Sequence, residues 1–180
     1  MTATPKRIEP PLALVADDFN LVDLLLKRVA DTPACPLFER DNGDGTWASI
    51  DADAFLADVT RTAKGLIAAG VTPGQAVGIM SHTRYEWVVL DFAIWFAGGV
   101  VVPIYESSAP AQLEWILSNS ESVAVFLENE NMYQRFAEVV GSLPAVKHVW
   151  RLDNDCLGDL AAKGAEVSDE LLSERSHVAN

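Results

Sequence analysis

The residues of this sequence that carry chemical potential crowd into one stretch, "WFAGGVVVPIYESS", residues 95–108. Gly98 and Gly99 stand beside a strand-like run, where paired glycines often cradle a phosphate. Ser107 and Ser108 offer two hydroxyls, and Tyr105 with Glu106 sets a phenol beside an acid. A phosphate cradle needs a strand, then glycines, then a helix whose N-terminal N–H groups face the anion. Here the glycines follow a helical run and precede a strand. That order makes them a helix terminus, where glycine supplies the left-handed residue that closes the last turn.

The other candidates weaken in the same way. Ser107 and Ser108 lack a glycine-flanked nucleophile elbow and a histidine partner, so helix capping by Ser108 is the expected role. Glu86 and Asp91 are not spaced to share a helix face, which argues against a paired acid and base. His82, His148, His177, Cys35 and Cys156 have no metal-ligand spacing, so no metal site is expected. Catalytic residues are expected nowhere in this chain. Tyr105 and Glu106 stand apart, because they follow the end of an apolar strand, where open α/β sheets place ligand contacts.

The elements that would position them alternate. "FNLVDLLLKRVADTP" reads as a helix opened near Asn20 and closed by Pro33, with Leu21, Leu24, Leu25 and Val29 on one face. Two short strands flank Asn42-Gly43-Asp44-Gly45 as a hairpin. Asp51 caps a long helix ended by Gly70, and Pro73-Gly74 forms a type II turn. Then follow "AVGIM", a helix opened by Thr83 and Glu86 as a capping box, "VVVPI", a helix capped by Ser108, "SVAVFLE", a helix ended by Gly141, and "KHVWRL". Uninterrupted apolar strands alternating with helices predict parallel β-α-β units, a mostly parallel sheet with helices on both faces. Trp87, Trp95 and Trp115 are expected in the core. From Asp153 the pattern fades, with one short helix expected in "LGDLAAKGAEVS". The expected division is a lead-in over residues 1–19, an α/β subdomain over 20–155 and a weakly structured linker over 156–180.

The 180 residues are 49% hydrophobic and 22% charged, with a net charge of −13, so the chain is globular and repels polyanions. Nucleic acid is excluded as a partner, because neutralising phosphates needs a basic face. No apolar run reaches the length of a membrane span. Two distant cysteines behind no secretory segment point to reduced thiols and a cytoplasmic location.

The order of motifs resembles the opening of the adenylate-forming (AMP-binding) superfamily of acyl-CoA synthetases, luciferases and peptide-synthetase adenylation domains. "GLIAAGVTPGQAVGIM" is similar to that family's G-V-x-x-G-D-x-V-A-I, with Gln75 where Asp is frequent. "YEWVVLDFAIWFAGGVVVPI" is similar to its E-W-x-x-x-x-x-A-x-x-x-A-G-A-V-x-V-P. "YESSAPAQLEWILSNSES" resembles the V-P-I-Y-x-[ST]-S and Q-x-x-W-I/V-L of long-chain fatty acyl-CoA synthetases. The resemblance spans about residues 20–155.

It implies the N-terminal portion of a fatty acid–CoA ligase, with ATP, Mg²⁺ and CoA as the parent's cofactors and fatty acid as its substrate. The remainder of the same polypeptide is the implied partner, with a homo-oligomer and a membrane-peripheral parent as further expectations. Gly98, Gly99 and Pro103 become scaffold; Tyr105, Glu106 and Ser107 lie near the CoA nucleotide and the acyl channel. The family's T-S-G-T-T-G-x-P-K-G signature, its ribose-binding aspartate and its C-terminal lysine do not occur in these residues, so the piece alone is expected to be inactive. Two rivals stand beside this reading: a stand-alone α/β protein-interaction module, and an adenylating enzyme for another carboxylate. The reading frame beyond Asn180 separates the first, and an acyl-chain panel the second.

Overall fold

The computed structural model describes residues 19–41 and 43–178. The expected lead-in lies outside the described residues, Phe19 excepted, as does Asn42 of the hairpin turn. Helix α1 (Leu21–Asp31) opens on Asn20, whose side chain accepts from the Asp23 N–H while the Asp23 carboxylate accepts from the Asn20 N–H. Its buried face is Val22 and Leu25, whereas Leu21 and Leu24 are about half exposed. Leu25 and Val29 of the expected face do meet the core, but Val22 takes the place of Leu21 and Leu24, because a leucine-rich helix offers several stripes of similar hydrophobicity. Strands β1 (Pro36–Asp41) and β2 (Trp47–Asp51) form the antiparallel hairpin. Asp51 then caps α2 (Ala52–Ala68) through the Ala54 N–H at 2.9 Å.

Four strands build the main sheet: β3 (Ala76–Met80), β4 (Val100–Ile104), β5 (Ala124–Leu127) and β6 (His148–Arg151). All pairings are parallel, and the order is β4-β3-β5-β6. The chain steps from β3 to one side, crosses back over β3 to reach β5, and continues outward to β6. With crossovers of one hand, that reversal must place the connecting helices on opposite faces. Alternate strand residues show it: Val77, Ile79, Ala124 and Phe126 join α1, α2 and α3 (Tyr85–Phe96) in one core. Met80, Val125 and Leu127 join α4 (Pro110–Asn119) and α5 (Glu130–Ala137) in the other.

Local chemistry departs from expectation at several helix ends. Arg84, not Thr83, is the N-cap of α3; Glu86 bonds Arg84 Nε at 2.6 Å and so is not free to close a box. Ala109, not Ser108, caps α4: Pro110 fixes the first turn and the Gln112 side chain accepts from the Ala109 N–H at 2.9 Å. Helix α5 stops at Ala137 and the chain tightens into a 3-10 turn, Val140–Ser142, that contains Gly141. Trp115 is 66% exposed on the outer side of α4, because Leu113 and Leu117 are the residues that face the sheet.

The region expected to be a weakly structured linker with one short helix contains two helices, α6 (Cys156–Lys163), at the place of the expected one, and α7 (Asp169–Ser176). Cys156, Leu160 and Leu172 enter the first core. The contact with α2 is made by glycines: a Cβ on Gly65 would lie 2.3 Å from the Leu160 carbonyl oxygen, and one on Gly164 would lie 2.4 Å from the Gly65 nitrogen. Hydrophobic periodicity does not register a helix crossing built on main-chain approach.

Candidate functional site

The glycines of the opening stretch close a helix. Gly98 has φ +80, its N–H bonds the Trp95 carbonyl at 2.9 Å, and the Gly99 N–H reaches the Ile94 carbonyl at 2.8 Å. This nested pair of bonds satisfies the last carbonyls of α3 and turns the chain into β4. Gly99 admits no larger residue cheaply, since a Cβ there would meet Ile94 Cγ2 at 2.9 Å and the Gln75 carbonyl oxygen at 3.1 Å. Gln75 has its own duty, accepting from the Thr72 N–H at 2.9 Å across the Pro73-Gly74 turn. Pro103 pairs in register with Ile79. The Val100 N–H bonds Gln75 toward β3, so by alternation the nitrogen of Pro103 faces away from β3, where no ladder bond is lost.

The carboxyl ends of the parallel strands lie along one edge, and the order of the sheet reverses between β3 and β5. Such a switch point leaves a crevice that open α/β folds use for ligands. In this chain Glu128 fills it. One oxygen of its carboxylate accepts from the His82 N–H at 2.7 Å and the Ser81 hydroxyl at 3.0 Å, and lies 2.9 Å from His82 Nδ1. Burial pushes the carboxyl toward its neutral form, but these donors outweigh it and hold Glu128 below the ordinary glutamate value. The Ser81 hydroxyl also lies 2.8 Å from the His82 carbonyl, so its contacts are with that carbonyl and the carboxylate, not with an imidazole nitrogen. A serine, a histidine and a glutamate meet here without forming a nucleophile and its base.

Beside this cluster Tyr105 and Glu106 line a cleft of about 190 Å³ with Ser81, Thr83, Trp87, Pro103 and Ile104. Tyr105 is 81% exposed, and the turn is closed by the Ser108 N–H on the Tyr105 carbonyl at 3.0 Å. Among the described residues the side chains of Tyr105, Glu106 and Ser107 make no hydrogen bond or ion pair. The structure thus brings Tyr105 and Glu106 together with Ser81 and Thr83, and leaves Ser107 outside the cleft. Ser108 is buried and its carbonyl accepts from Arg135 at 3.0 Å.

Sequence reasoning missed Ser81, His82 and Glu128. A signal existed, since each follows an apolar strand run, but their convergence depends on strand order. Farther along the edge Arg151 pairs with Glu130 and, at 2.8 Å, with Asp153. A second cleft, about 370 Å³, lies between the hairpin, α2, α3 and α6. Its guanidinium groups are engaged: Arg61 with Asp58 at 2.5 Å, Arg84 with Glu86 at 2.6 Å, and Arg40 over the Tyr85 ring. The Tyr85 hydroxyl donates to Asp58 at 2.7 Å, and burial followed by that bond raises its pKa. Among the described residues no group of three or more His, Cys, Asp or Glu side chains is placed to hold a metal ion. No helix there is long and apolar enough to cross a membrane.

Comparison with known proteins adds identity to this geometry. The model of the AMP-binding enzyme family matches residues 26–178. Over 164 residues the chain is 35% identical to the long-chain-fatty-acid–CoA ligase FadD15 of Mycobacterium bovis, covering 89% of this chain and 27% of that protein. The crystal structure of a long-chain-fatty-acid-CoA ligase (FadD1) from Archaeoglobus fulgidus superposes with a TM-score of 0.74 at 19% identity, covering 84% of this chain and 31% of that one. An anthranilate CoA ligase, AuaEII, solved with anthranoyl-AMP, gives a TM-score of 0.71 at 19% identity over 80% of this chain and 27% of that one. These two likenesses are of fold. The chain spans about a quarter of the length of the curated relative.

Proposed function

The chain belongs to the AMP-binding enzyme family, and on that premise we propose that it serves as an α/β segment of a long-chain fatty acid–CoA ligase. The observation that carries this reading is the 35% identity to the mycobacterial ligase across 89% of the chain. In such an enzyme ATP with Mg²⁺ activates a fatty acid as its acyl-adenylate, and CoA then takes the acyl group as a thioester. The parent works in the cytoplasm or at the membrane periphery, a reading that two free cysteines support.

The role of these residues is scaffold and wall. The β3–β5 crevice does not suit a triphosphate: its carboxylate is satisfied by Ser81 and His82, and Glu130 and Asp153 follow along the same edge. We assign the anion cradle and the charge stabilisation at the α-phosphate to other segments of the ligase. Tyr105 and Glu106, open at the cleft beside that edge, are the residues we assign to contact with CoA or the acyl chain; Ser107, outside that cleft, is not assigned such a contact.

The test is ATP–pyrophosphate exchange with palmitate on the purified 180-residue chain. The expected result is no exchange above a boiled control. Exchange above that control would show that these residues carry the adenylation chemistry themselves, and would overturn the division of roles.

A further inference from the structure

Among the described residues Asp91 is a carboxylate without a partner, in an apolar setting. It lies on α3 one turn before Trp95, and both line a groove of about 490 Å³ with Gly74, Val100, Val101, Pro103 and Val178. Among the described residues Asp91 makes no hydrogen bond or ion pair. Burial alone raises its carboxyl to about 6, so near neutrality the groove holds an incompletely solvated negative charge. Beside it runs β4, the edge strand, with Val100 half exposed. Pro103 removes a donor from the outer side of that edge, which protects it against an added strand.

We propose that this groove is a docking surface for a basic polypeptide segment that presents one lysine or arginine among apolar side chains, its cation meeting Asp91. Charge complementarity selects that occupant. An apolar segment alone would bury Val100, Val101 and Trp95 but also strip the remaining water from Asp91, leaving a buried unpaired charge. A cation restores the lost solvation by a charge-assisted hydrogen bond and makes the same apolar contact favourable. A second copy of this chain is disfavoured on two counts. Its charge of −13 repels its twin, and a twofold contact through this groove sets one Asp91 against the other.

The test uses the full chain and a soluble apolar peptide with one central lysine, alongside its norleucine and glutamate counterparts. Trp95 fluorescence reports occupancy of the groove, and carboxyl NMR follows the titration of Asp91. The lysine peptide is expected to bind about tenfold more tightly than the norleucine one, the glutamate peptide weakest, and Asp91 to titrate lower in the complex. In Asp91→Asn, which keeps shape and should melt at or above the parent, the preference for lysine is expected to vanish. Equal binding of the three peptides, no saturable binding at millimolar peptide, or an unchanged preference in Asp91→Asn overturns the proposal. A free chain whose Asp91 already titrates below 4 overturns it too, because a cation of the chain itself then fills the groove. Dimerisation that no peptide reverses, seen by sedimentation velocity, assigns the groove to a second copy.

Discussion

Alanine at Gly65 would drive a methyl group into the main chain of α6. The Cβ would sit 2.3 Å from the Leu160 carbonyl oxygen, 2.6 Å from its carbon and 2.7 Å from the Leu160 Cβ. A contact with backbone cannot be relieved by a rotamer change, so α6 must retreat by about 1 Å to recover van der Waals separation in a close-packed interior. That movement loosens Cys156 and Leu160, both buried against the first core. Overpacking of this kind costs about 1–3 kcal/mol, and a backbone obstacle puts it at the upper end. The intrinsic helix preference of alanine over glycine returns about 1 kcal/mol. Gly65→Ala should therefore destabilise by about 2 kcal/mol net, or about 4–8 °C in melting temperature for a chain of this size. The assay is urea unfolding followed by tryptophan fluorescence, with limited proteolysis of the 164–168 connection as a second readout. Gly141→Ala is the control: no atom lies within 4 Å of its Cβ, so it should change stability by less than about 0.5 kcal/mol. A Gly65→Ala protein as stable as the parent, or more stable, would refute the close crossing and detach α6 from the core.

Gly98→Val should cost more than about 1 kcal/mol, since φ +80 strains a β-branched residue, and an unchanged denaturant midpoint would contradict the assignment. Glu121 occupies the corresponding left-handed position after α4 with φ +52, so Glu121→Gly should stabilise by about 0.5–1 kcal/mol in the same measurement. Glu128→Ala should lose about 1–3 kcal/mol at neutral pH by leaving the His82 N–H unmet, while the Ser81 hydroxyl keeps only the His82 carbonyl. Because the folded carboxyl ionises below its unfolded value, that contribution is present above the ordinary glutamate range and fades as pH falls through the folded value; equal losses at neutral and acid pH would sink this account. Burial, followed by repulsion from Asp155 and Asp159, pushes the Cys156 thiol up to about 12, so in the native protein iodoacetamide should label Cys35 first and Cys156 only on unfolding.

The sheet was legible because its strands are largely apolar runs and two of the helices beside it, α2 and α3, carry a glycine stop. Gly70 and Gly98 both have positive φ at the ends of α2 and α3, where the sequence placed them. Helix α1 was located correctly and Leu25 and Val29 were placed on its core side, but Leu21 and Leu24 were wrongly added, since neighbouring leucines define several faces of similar apolarity and only packing chooses among them. Helix α6 was expected as one short helix, but its docking on the core, and α7 altogether, escaped notice for a related reason. Part of their anchorage rests on Gly65, Gly164 and the Lys64–Asp169 ion pair at 2.7 Å, none of which contributes to hydrophobic periodicity. At the strand ends, Tyr105 and Glu106 could be singled out from one strand and the turn after it. Ser81, His82 and Glu128 could not, because residues 46 and 47 positions apart meet only once β5 is known to lie beside β3.

The proposal that this chain is a working segment of a long-chain fatty acid–CoA ligase is tested most directly by exchange of segments. In the Mycobacterium bovis ligase, the stretch matched by this chain is replaced by this chain's own residues, and the chimera is confirmed folded by its cooperative melt. Formation of acyl-CoA is then measured with palmitate and, in parallel, with short-chain and aromatic acids. The account predicts palmitoyl-CoA formation that depends on ATP and prefers palmitate over the other acids. A folded chimera that forms no acyl-CoA, or one that turns over the short or aromatic acids in place of palmitate, would contradict it.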